Sequence, residues 1–375
     1  MRLLKSTVLA VLLVALFACT GAGLIPAKPS VIPSDTGLTR PVTAALDMKV
    51  PEEPRAVLAQ TTIKEASEPL LMQPVDYRLN CFTSKKKKYT YNHLVSDITG
   101  TLLNYEGLVS NEVIGQSVQG KNIYALTVGR GPVYVLITAG VHARENANTP
   151  LIMQCLFDYL YAATTGDEPK AQILDQVTLI IVPLVNPDGY QYCVSKGNRS
   201  KKTNANNVDI NRNFPCKYWG SKVKKRGNYY PGPAPASEPE TQTIMALFDR
   251  YNFTLAVDIH SRARTLICQK GGYTAEDLST LEDPNRLNEI SLSLARYLLE
   301  DIKYKQDNEL YVKFGEEGTL TDYAFSRGVP TVTFETLKYK KNRLADPKEI
   351  QNEYKLFNWP NTLYKIAEFA QRNVQ

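Results

Sequence analysis

Short apolar runs alternate along the chain with longer segments in which apolar residues recur every three or four positions. Apolar runs bounded by turn residues indicate buried strands, and the longer spacing indicates helices that pack by one face. Strands are predicted at 112–118, 122–128, 133–141, 177–185, 254–260 and 331–335. Helices are predicted at about 92–105, 148–163, 238–251, 285–303 and 361–372. The alternation predicts an α/β fold, a single domain in which helices flank a mixed, mostly parallel twisted sheet.

The N-terminal part of the chain does not share this pattern. Residues 1–19 have a basic start, an apolar core and a small residue before Cys19. They indicate a signal peptide, because the apolar run is shorter than the ~20 residues that a membrane span needs. Residues 20–76 are rich in proline and have no sustained apolar period, which predicts a poorly ordered linker. The folded domain is then expected at 77–375.

Cys19 ends a Leu-Phe-Ala-Cys sequence that is similar to a bacterial lipobox. One interpretation is a lipid on Cys19 that tethers the protein to a membrane. The alternative is simple secretion, since Phe17 is atypical at its position. Both interpretations put the mature protein outside the cytosol, in the periplasm or cell envelope.

The distribution of charge narrows the choice of partner. The formal net charge is +6, and basic residues cluster in 196–202 and 222–226, with aromatic residues nearby. Nucleic acid does not fit an exported protein. An acidic substrate or a cell-wall polymer fits the basic segments better.

The positions of the histidines indicate candidate chemistry. The chain has only three histidines, and two of them, His142 and His260, end predicted buried strands. Glu145 follows His142 by three positions, and on a turn of helix these side chains share a face. Open α/β sheets place ligand sites at the carboxyl ends of their strands. Because histidine and glutamate are zinc ligands, the pattern predicts a zinc site rather than two structural histidines.

Two further features of the sequence are candidates for a role in the site: a polar loop and a carboxylate at the end of an apolar run. Residues 204–215 read NANNVDINRNFP, which taken alone is an ordinary turn-rich loop. Glu335 ends the apolar run TVTFE, where a carboxylate either faces a cleft or is a costly buried charge.

These residues together resemble those of a known family. The sequence HARE at 142–145, followed over a hundred residues later by DIHS at 258–261, resembles the zinc carboxypeptidases of the carboxypeptidase A type. The resemblance extends from about Tyr89 to the C-terminus. It implies the zinc carboxypeptidase-like fold and one zinc ion per chain. The implied metal ligands are His142, Glu145 and His260.

The resemblance also implies roles for the loop and for the second carboxylate. The match to V-D-x-N-R-N implies that Asn211 and Arg212 grip the terminal carboxylate of a substrate. Asp209 matches the carboxylate that orients His142 and fixes its tautomer. Glu335 matches the general base, which takes a proton from the attacking water and later passes it to the leaving amine.

Other matches depart from the family or leave alternatives open. Arg144 matches an arginine on the outer, substrate side of the cleft. In the family an arginine stabilises the oxyanion, and two residues of this chain could take its place. Lys202 has the expected spacing but lacks a guanidinium group. Arg199 has the guanidinium group but not this spacing. The mobile tyrosine that caps the substrate carboxylate aligns with Phe314, whose ring cannot donate that hydrogen bond. Thr321 lies near the position that decides side-chain preference and, being neither acidic nor strongly apolar, leaves that preference open.

The sequence thus predicts an exported zinc metallocarboxypeptidase that hydrolyses a peptide amide bond adjacent to a free carboxylate. The NANNVDINRNFP stretch looks most like bacterial members that cut the γ-D-glutamyl-diaminopimelate bond of peptidoglycan stem peptides. The expected partner is therefore a peptide or muropeptide substrate. Two alternatives stay open: an N-acyl amino acid amidohydrolase similar to desuccinylases, and a catalytically inactive cell-wall-binding lipoprotein on the same scaffold.

Overall fold

The computed structural model describes residues 88–198, 200–216, 219, 226–261, 263–269, 281–300, 309–313, 318–338 and 344–373. Cys19, Arg199 and Phe314 lie outside these ranges, as do the predicted signal peptide and linker. The predictions made for them, including the domain boundaries, stay predictions. Within the described ranges, no helix combines the length and the apolarity that crossing a membrane requires.

The helices and strands alternate along the chain. The helices are α1 (Tyr91–Asn104), α2 (Asn148–Thr164), α3 (Glu168–Leu174), α4 (Pro187–Lys196), α5 (Pro239–Arg250), α6 (Pro284–Leu299), α7 (Leu320–Ser326), α8 (Pro347–Leu356) and α9 (Trp359–Arg372). The strands are β1 (Val109–Gln116), β2 (Asn122–Val128), β3 (Val133–Ala139), β4 (Val177–Val182), β5 (Phe253–Ser261), β6 (Thr265–Gln269), β7 (Glu309–Lys313) and β8 (Thr331–Thr336).

The strands of the described part of the chain form one 8-stranded sheet in the order β1-β2-β4-β3-β5-β8-β6-β7. The central strands β4, β3, β5 and β8 run parallel to one another. The β1–β2, β2–β4 and β6–β8 pairs are antiparallel, and β6–β7 is parallel. The predicted fold class, a mixed and mostly parallel sheet flanked by helices, is confirmed.

The central strands are buried on both faces of the sheet. In β3, Val135 and Ile137 belong to a core cluster that also contains residues of α2 and α9. Leu136 belongs to a second cluster, which contains residues of α5 and α7. Consecutive strand residues point to opposite faces, so helices on both sides require apolar residues at every position. This explains why apolar residues predominate on both faces of β3 and β4 and in the first part of β5.

The sequence prediction missed the shorter elements. β6 and β7 have five residues each, and α3 and α7 have seven, which is too few for a periodic pattern to show. α4 begins in an Asn-Pro-Asp-Gly sequence that is typical of a turn. Asn186 instead caps the helix, because its side chain accepts a hydrogen bond from Gly189 N, and Pro187 occupies the first turn.

The two C-terminal helices are separated by Phe357 and Asn358, just before Pro360. α8, which the prediction did not include, ends at Leu356, and Asn358 then adopts a left-handed backbone with φ 53°. Pro360 lies in the first turn of α9, where the N–H that proline lacks would have no partner within the helix.

A glycine turn ends β3 at Ala139, two residues earlier than predicted. Gly140 has φ +67°, and a Cβ at this position would lie 2.6 Å from Leu184 Cδ1. Its carbonyl accepts a hydrogen bond of 3.1 Å from Asn186 N. Glycine is therefore required both for the backbone conformation and for the space beside Leu184. The turn directs the chain into the 142–145 segment.

We expect Gly140→Ala to lower the free energy of unfolding by roughly 2–4 kcal/mol. The left-handed conformation costs a non-glycine residue about 1–2 kcal/mol, and overlap with Leu184 adds to it. Gly107→Ala is the matched control, because Gly107 has φ +81° and nothing within 4 Å of its Cβ position. Urea unfolding of both variants measures the difference. Equal losses would show that the contact with Leu184 does not require glycine.

Candidate metal centre and active site

Three metal-ligand atoms meet at the carboxyl end of the sheet. His142 and Glu145 follow β3, and His260 lies near the end of the neighbouring strand β5. His142 Nδ1 is 2.7 Å from Glu145 Oε1. His260 Nδ1 is 3.0 Å from His142 Nδ1 and 3.1 Å from Glu145 Oε2. These are the residues that the sequence predicts as zinc ligands, and all three are buried.

The other ring nitrogen of each histidine faces a carboxylate. His260 Nε2 is 2.6 Å from Asp258 Oδ2. His142 Nε2 is 3.2 Å from Asp209 Oδ1, which is an ion-pair distance, although the two atoms are not aligned for a hydrogen bond. A carboxylate favours the imidazole tautomer that carries its proton on the facing nitrogen. The Nδ1 lone pair of each ring is then directed at the other ring.

This arrangement fits a metal ion. Two Nδ1 lone pairs that face each other at 3.0 Å repel unless a cation or a proton lies between them. Two histidines and one glutamate are a zinc ligand set, and carboxylates commonly support zinc-binding histidines. The residues present therefore suit zinc held by His142, Glu145 and His260.

Asp258 is a site residue that the sequence prediction missed. Its Oδ1 accepts a hydrogen bond of 2.6 Å from Thr138 Oγ1 on β3, and its Oδ2 faces His260. Alternate residues of a strand lie on the same face. The Asp-Ile-His spacing at 258–260 was therefore a signal for a carboxylate beside His260.

The charges of the site shift the pKa of its carboxylates. Burial disfavours the charged form of Glu145, but the facing imidazoles of His142 and His260 outweigh it and hold the pKa of Glu145 well below its usual range. Burial also favours the neutral form of Asp209, but the charges of Lys202 and His142 outweigh it and lower the pKa of Asp209. Both carboxylates are therefore ionised at neutral pH, which is the form that binds metal and supports a metal ligand.

Glu335 lies beside the metal centre on the next strand. β8 pairs with β5 so that Glu335 is the register partner of His260. The Oε2 atom of Glu335 is buried, and none of the described residues forms a hydrogen bond to it. Burial and the charge of Glu145 raise the pKa of Glu335 to about 7, and a cation at the ligands would lower it. Glu335 thus offers a buried acceptor oxygen, with no hydrogen bond from the described residues, next to a candidate metal ligand.

Lys202 lies on the side of Asp209 away from His142. Its Nζ is 2.8 Å from Asp209 Oδ2, and both side chains are buried. The ammonium also lies 4.6 Å from the centre of the Tyr229 ring, and Tyr229 is half-exposed. The structure thus places one candidate for oxyanion stabilisation, Lys202, in a buried ion pair. The other candidate, Arg199, lies outside the described residues.

Asn211 and Arg212 lie in a single 3-10 turn, Ile210–Arg212. Asn211 Oδ1 accepts a hydrogen bond of 2.8 Å from Leu320 N at the start of α7. Its Nδ2 lies 3.3 Å from His260 Nε2, so this residue contacts a candidate metal ligand. The guanidinium carbon of Arg212 lies 5.9 Å from the centre of the Tyr229 ring. Tyr229 therefore lies beside both Lys202 and Arg212, a position that the sequence did not predict.

Asn204 is another residue whose role the sequence did not predict. Its side-chain nitrogen donates to Glu238 Oε2 at 2.7 Å and to Glu240 Oε2 at 3.0 Å. Its side-chain oxygen accepts from Val208 N at 3.0 Å. Both glutamates are buried. These hydrogen bonds fix the backbone just before Asp209. In the sequence, the only sign of this network was the high asparagine content of the loop.

The remaining predicted residues differ in their surroundings. Arg144 is half-buried, and no carboxylate in the described part of the chain forms an ion pair with it. Thr321 is buried in the first turn of α7, with its Oγ1 3.1 Å from Thr319 Oγ1. Phe314 is not among the described residues. The roles predicted for these three side chains stay predictions.

Fold and site together define an α/β protein with a metal centre at the carboxyl edge of its sheet. The family model for zinc carboxypeptidases matches residues 95–359, and the chain belongs to this family. The predicted family and its cofactor, one zinc ion, are confirmed.

Two curated relatives illustrate the range of the family. Carboxypeptidase M from Mus musculus is 29% identical over 170 residues, which cover 43% of this chain and 35% of that protein. Gamma-D-glutamyl-L-diamino acid endopeptidase 1 from Lysinibacillus sphaericus is 29% identical over 210 residues, which cover 48% of this chain and 52% of that protein. The matched segments thus span about half, or less, of these relatives.

A solved structure shows the shared fold. Bovine thrombin-activatable fibrinolysis inhibitor, in complex with tick carboxypeptidase inhibitor, superimposes with a TM-score of 0.62. The sequence identity is 21%, and the match covers 77% of this chain and 99% of that chain.

We expect the purified protein to contain about one zinc ion per chain and His260→Ala to lose most of it, because only two ligands remain. His93→Ala is the matched control. His93 belongs to the capping box of α1, where its Nδ1 accepts a hydrogen bond from Thr90 N. The His93→Ala protein should retain zinc and lose about 1 kcal/mol of stability. Metal analysis with thermal melts checks both, and full zinc retention by His260→Ala would contradict the ligand assignment.

Proposed function

We propose that the protein is an exported zinc metallocarboxypeptidase, which hydrolyses a peptide amide bond adjacent to a free carboxylate. The position of Glu335 is the observation that carries this proposal. Its buried Oε2 atom has no hydrogen-bond partner among the described residues, and the residue pairs in register with the metal ligand His260. A carboxylate oxygen in this position can accept a proton from a water molecule or a donor on a bound substrate.

The proposed chemistry divides between the metal and the protein. Zinc, when bound by the two histidines and Glu145, supplies Lewis acidity that polarises a carbonyl group and acidifies a water molecule. Glu335 Oε2 accepts the proton of the attacking water and returns it to the amine that leaves. Asp209 and Asp258 keep the imidazole protons on Nε2, which leaves both Nδ1 atoms available to the metal.

The 3-10 turn Ile210–Arg212 supplies the groups that bind the free carboxylate. The guanidinium of Arg212 can bind a carboxylate with two parallel hydrogen bonds, and its charge does not depend on pH. Asn211, in the same turn, contacts His260. Lys202 adds a positive charge beside the same Tyr229 ring as Arg212. Burial and the charge of Glu145 raise the pKa of Glu335, and the charges of His260 and Lys202 oppose this increase.

For the substrate class, we propose peptidoglycan stem peptides. One relative, from Lysinibacillus sphaericus, is named a gamma-D-glutamyl-L-diamino acid endopeptidase. The signal-peptide pattern of residues 1–19 supports delivery to the cell envelope, where lipid on Cys19 would tether the protein to a membrane. The basic segments of the chain suit an acidic stem peptide.

Mass spectrometry of reaction products tests the substrate class. We expect hydrolysis of muropeptides, or of peptides with a free C-terminal carboxylate, to be much faster than that of their C-terminal amides. Arg212→Lys should lower kcat/KM for the free-carboxylate substrate by about 10–100-fold, because one charge-assisted hydrogen bond and its geometry are lost. An equal loss on the amide would mean that Arg212 is structural. No cleavage of any of these substrates would contradict the proposed function.

Glu335→Gln tests the role of the carboxylate. The change keeps size but removes the proton acceptor, so we expect kcat to fall by about 10²–10⁴-fold or more while zinc stays bound. Asp97→Asn is the control for loss of a buried carboxylate, since Asp97 accepts a hydrogen bond from Tyr89 and lies on α1. It should lose stability but keep turnover per folded molecule. If Glu335→Gln instead melts early and turns over normally, the catalytic role is wrong.

A further inference from the structure

The backbone just after Glu335 is strained. β8 ends at Thr336, and the next residue, Leu337, has a left-handed backbone with φ 59°. This conformation brings the side chain of a non-glycine residue too close to its own backbone, so it persists only where the surroundings impose it. The contacts that hold Thr336 and Leu337 therefore determine the position of the strand end that carries Glu335.

Glu353, on α8, imposes the conformation of Leu337. Leu337 N donates a hydrogen bond of 2.8 Å to Glu353 Oε1. The other carboxylate oxygen, Oε2, accepts a hydrogen bond of 2.9 Å from Arg264, which lies in the turn after β5. Glu353 is buried, so each of these charge-assisted contacts is costly to lose. The chain after β8 is thus attached through one carboxylate to the chain after β5.

Asn148 holds the residue before Leu337. Thr336 Oγ1 donates a hydrogen bond of 2.9 Å to Asn148 Oδ1, and Asn148 Nδ2 donates one of 3.2 Å to Ile259 O. Asn148 and Thr336 are both fully buried. Asn148 is the first residue of α2, and Ile259 directly precedes His260 on β5. The side-chain amide thus joins the end of β8 to the strand that carries a candidate metal ligand.

The same two strand ends also hold Glu145. Ser261 N donates a hydrogen bond of 3.0 Å to Glu145 Oε2, and Ser261 is the register partner of Thr336. Asn148 Nδ2 lies 3.5 Å from the same carboxylate oxygen, at the long limit for a hydrogen bond. The candidate ligand Glu145 and the candidate proton acceptor Glu335 are therefore attached to one pair of strand ends.

Thr336 and Glu335 lie on opposite faces of the sheet, because successive side chains of a strand alternate. The hydrogen bond between Thr336 and Asn148 therefore fixes the backbone without occupying the space around the Glu335 carboxylate. If this bond is lost, the strained backbone of Leu337 can relax by rotation of the peptide group that joins it to Thr336. The end of β8, and Glu335 with it, then moves relative to β5.

We propose that Asn148 is a positioning residue, which acts through Thr336 to hold the Glu335 carboxylate in place beside the metal centre. The inference rests on the proposed function, in which Glu335 accepts the proton of the attacking water. A misplacement of about 1 Å in such a group can lower the rate by about 10²-fold. The free carboxylate of the substrate binds elsewhere, at Arg212, so loss of the hydrogen bond should lower kcat and leave KM nearly unchanged.

Thr336→Val removes the hydroxyl donor and keeps the shape of the side chain. We expect kcat to fall about tenfold, because a buried amide oxygen loses its partner and the strand end loosens, whereas zinc content and KM should stay close to the wild-type values. Thr336→Ser keeps the hydroxyl and should recover most of kcat.

Thr178→Val is the matched control for this substitution. The hydroxyl of Thr178 is also buried, and it donates a hydrogen bond of 2.7 Å to Gly131 O near the amino end of β4, away from the metal centre. This variant should lose stability but keep kcat. The positioning role is wrong if Thr336→Val has the same kcat as the control, or if serine at 336 recovers no more activity than valine.

Double substitutions test whether Asn148 acts through Thr336. Asn148→Ala breaks the same hydrogen bond, so adding Thr336→Val should lower kcat no further. In the Glu335→Gln background, which does not depend on the folding of an Asn148 variant, Thr336→Val should change the residual kcat less than twofold, because no proton acceptor is left to position. Losses that multiply in either background would show that the residues act independently, and would overturn the inference.

Crystal structures test the position of the carboxylate without any hydrolysis. In zinc-loaded Thr336→Val, the Glu335 carboxylate should shift by roughly 0.5 Å or more relative to the three metal ligands, or occupy more than one conformer, whereas the wild type and Thr336→Ser should share one position. An unmoved Glu335 in Thr336→Val would overturn the inference. An inactive wild-type protein whose Glu335 moves as expected in this variant would contradict the proposed function and leave the positioning role of Asn148 standing.

Discussion

The convergence of three ligand atoms on one point is the constraint on which the rest of the structure depends. His142 and Glu145 are separated from His260 by over a hundred residues, and they meet because β3 and β5 are parallel neighbours. Thr138 and Asp258, which pair in register on these strands, also share a hydrogen bond through their side chains. The contact that aligns the strands thus fixes the carboxylate behind His260. The backbone of the sheet and the metal centre are set by the same pairing.

The balance of charge explains why a divalent cation belongs in this site. Four carboxylates, those of Glu145, Asp209, Asp258 and Glu335, lie around two imidazoles. Lys202 supplies the one ammonium that pairs with them among the described residues. Burial opposes a charged imidazole at His260, yet the neighbouring carboxylates raise its pKa well above the usual value, which reflects this excess of negative charge. A zinc ion offsets that excess without requiring a proton between the ligands.

The sequence predicted the parts of the site that depend on strand ends and on residue type. His142 and His260 could be assigned because each follows or ends a buried apolar run in a chain that has only three histidines. The Lys202–Asp209 pair and the Asn204 network could not be assigned, because they depend on how an irregular loop packs against itself. α4 was missed for a different reason: its first residues are also those of a turn, and only the capping bond to Asn186 decides between the two.

The segment that begins at Lys202 is tied to the metal centre at two points. Lys202 Nζ pairs with Asp209 Oδ2, and Asp209 Oδ1 lies 3.2 Å from His142 Nε2. The backbone of Lys202 is held on both sides, since Lys202 N donates to Asn228 Oδ1 and Lys202 O accepts from Ala143 N beside His142. The same loop therefore positions both the carboxylate behind His142 and the ammonium that offsets the charge of this carboxylate.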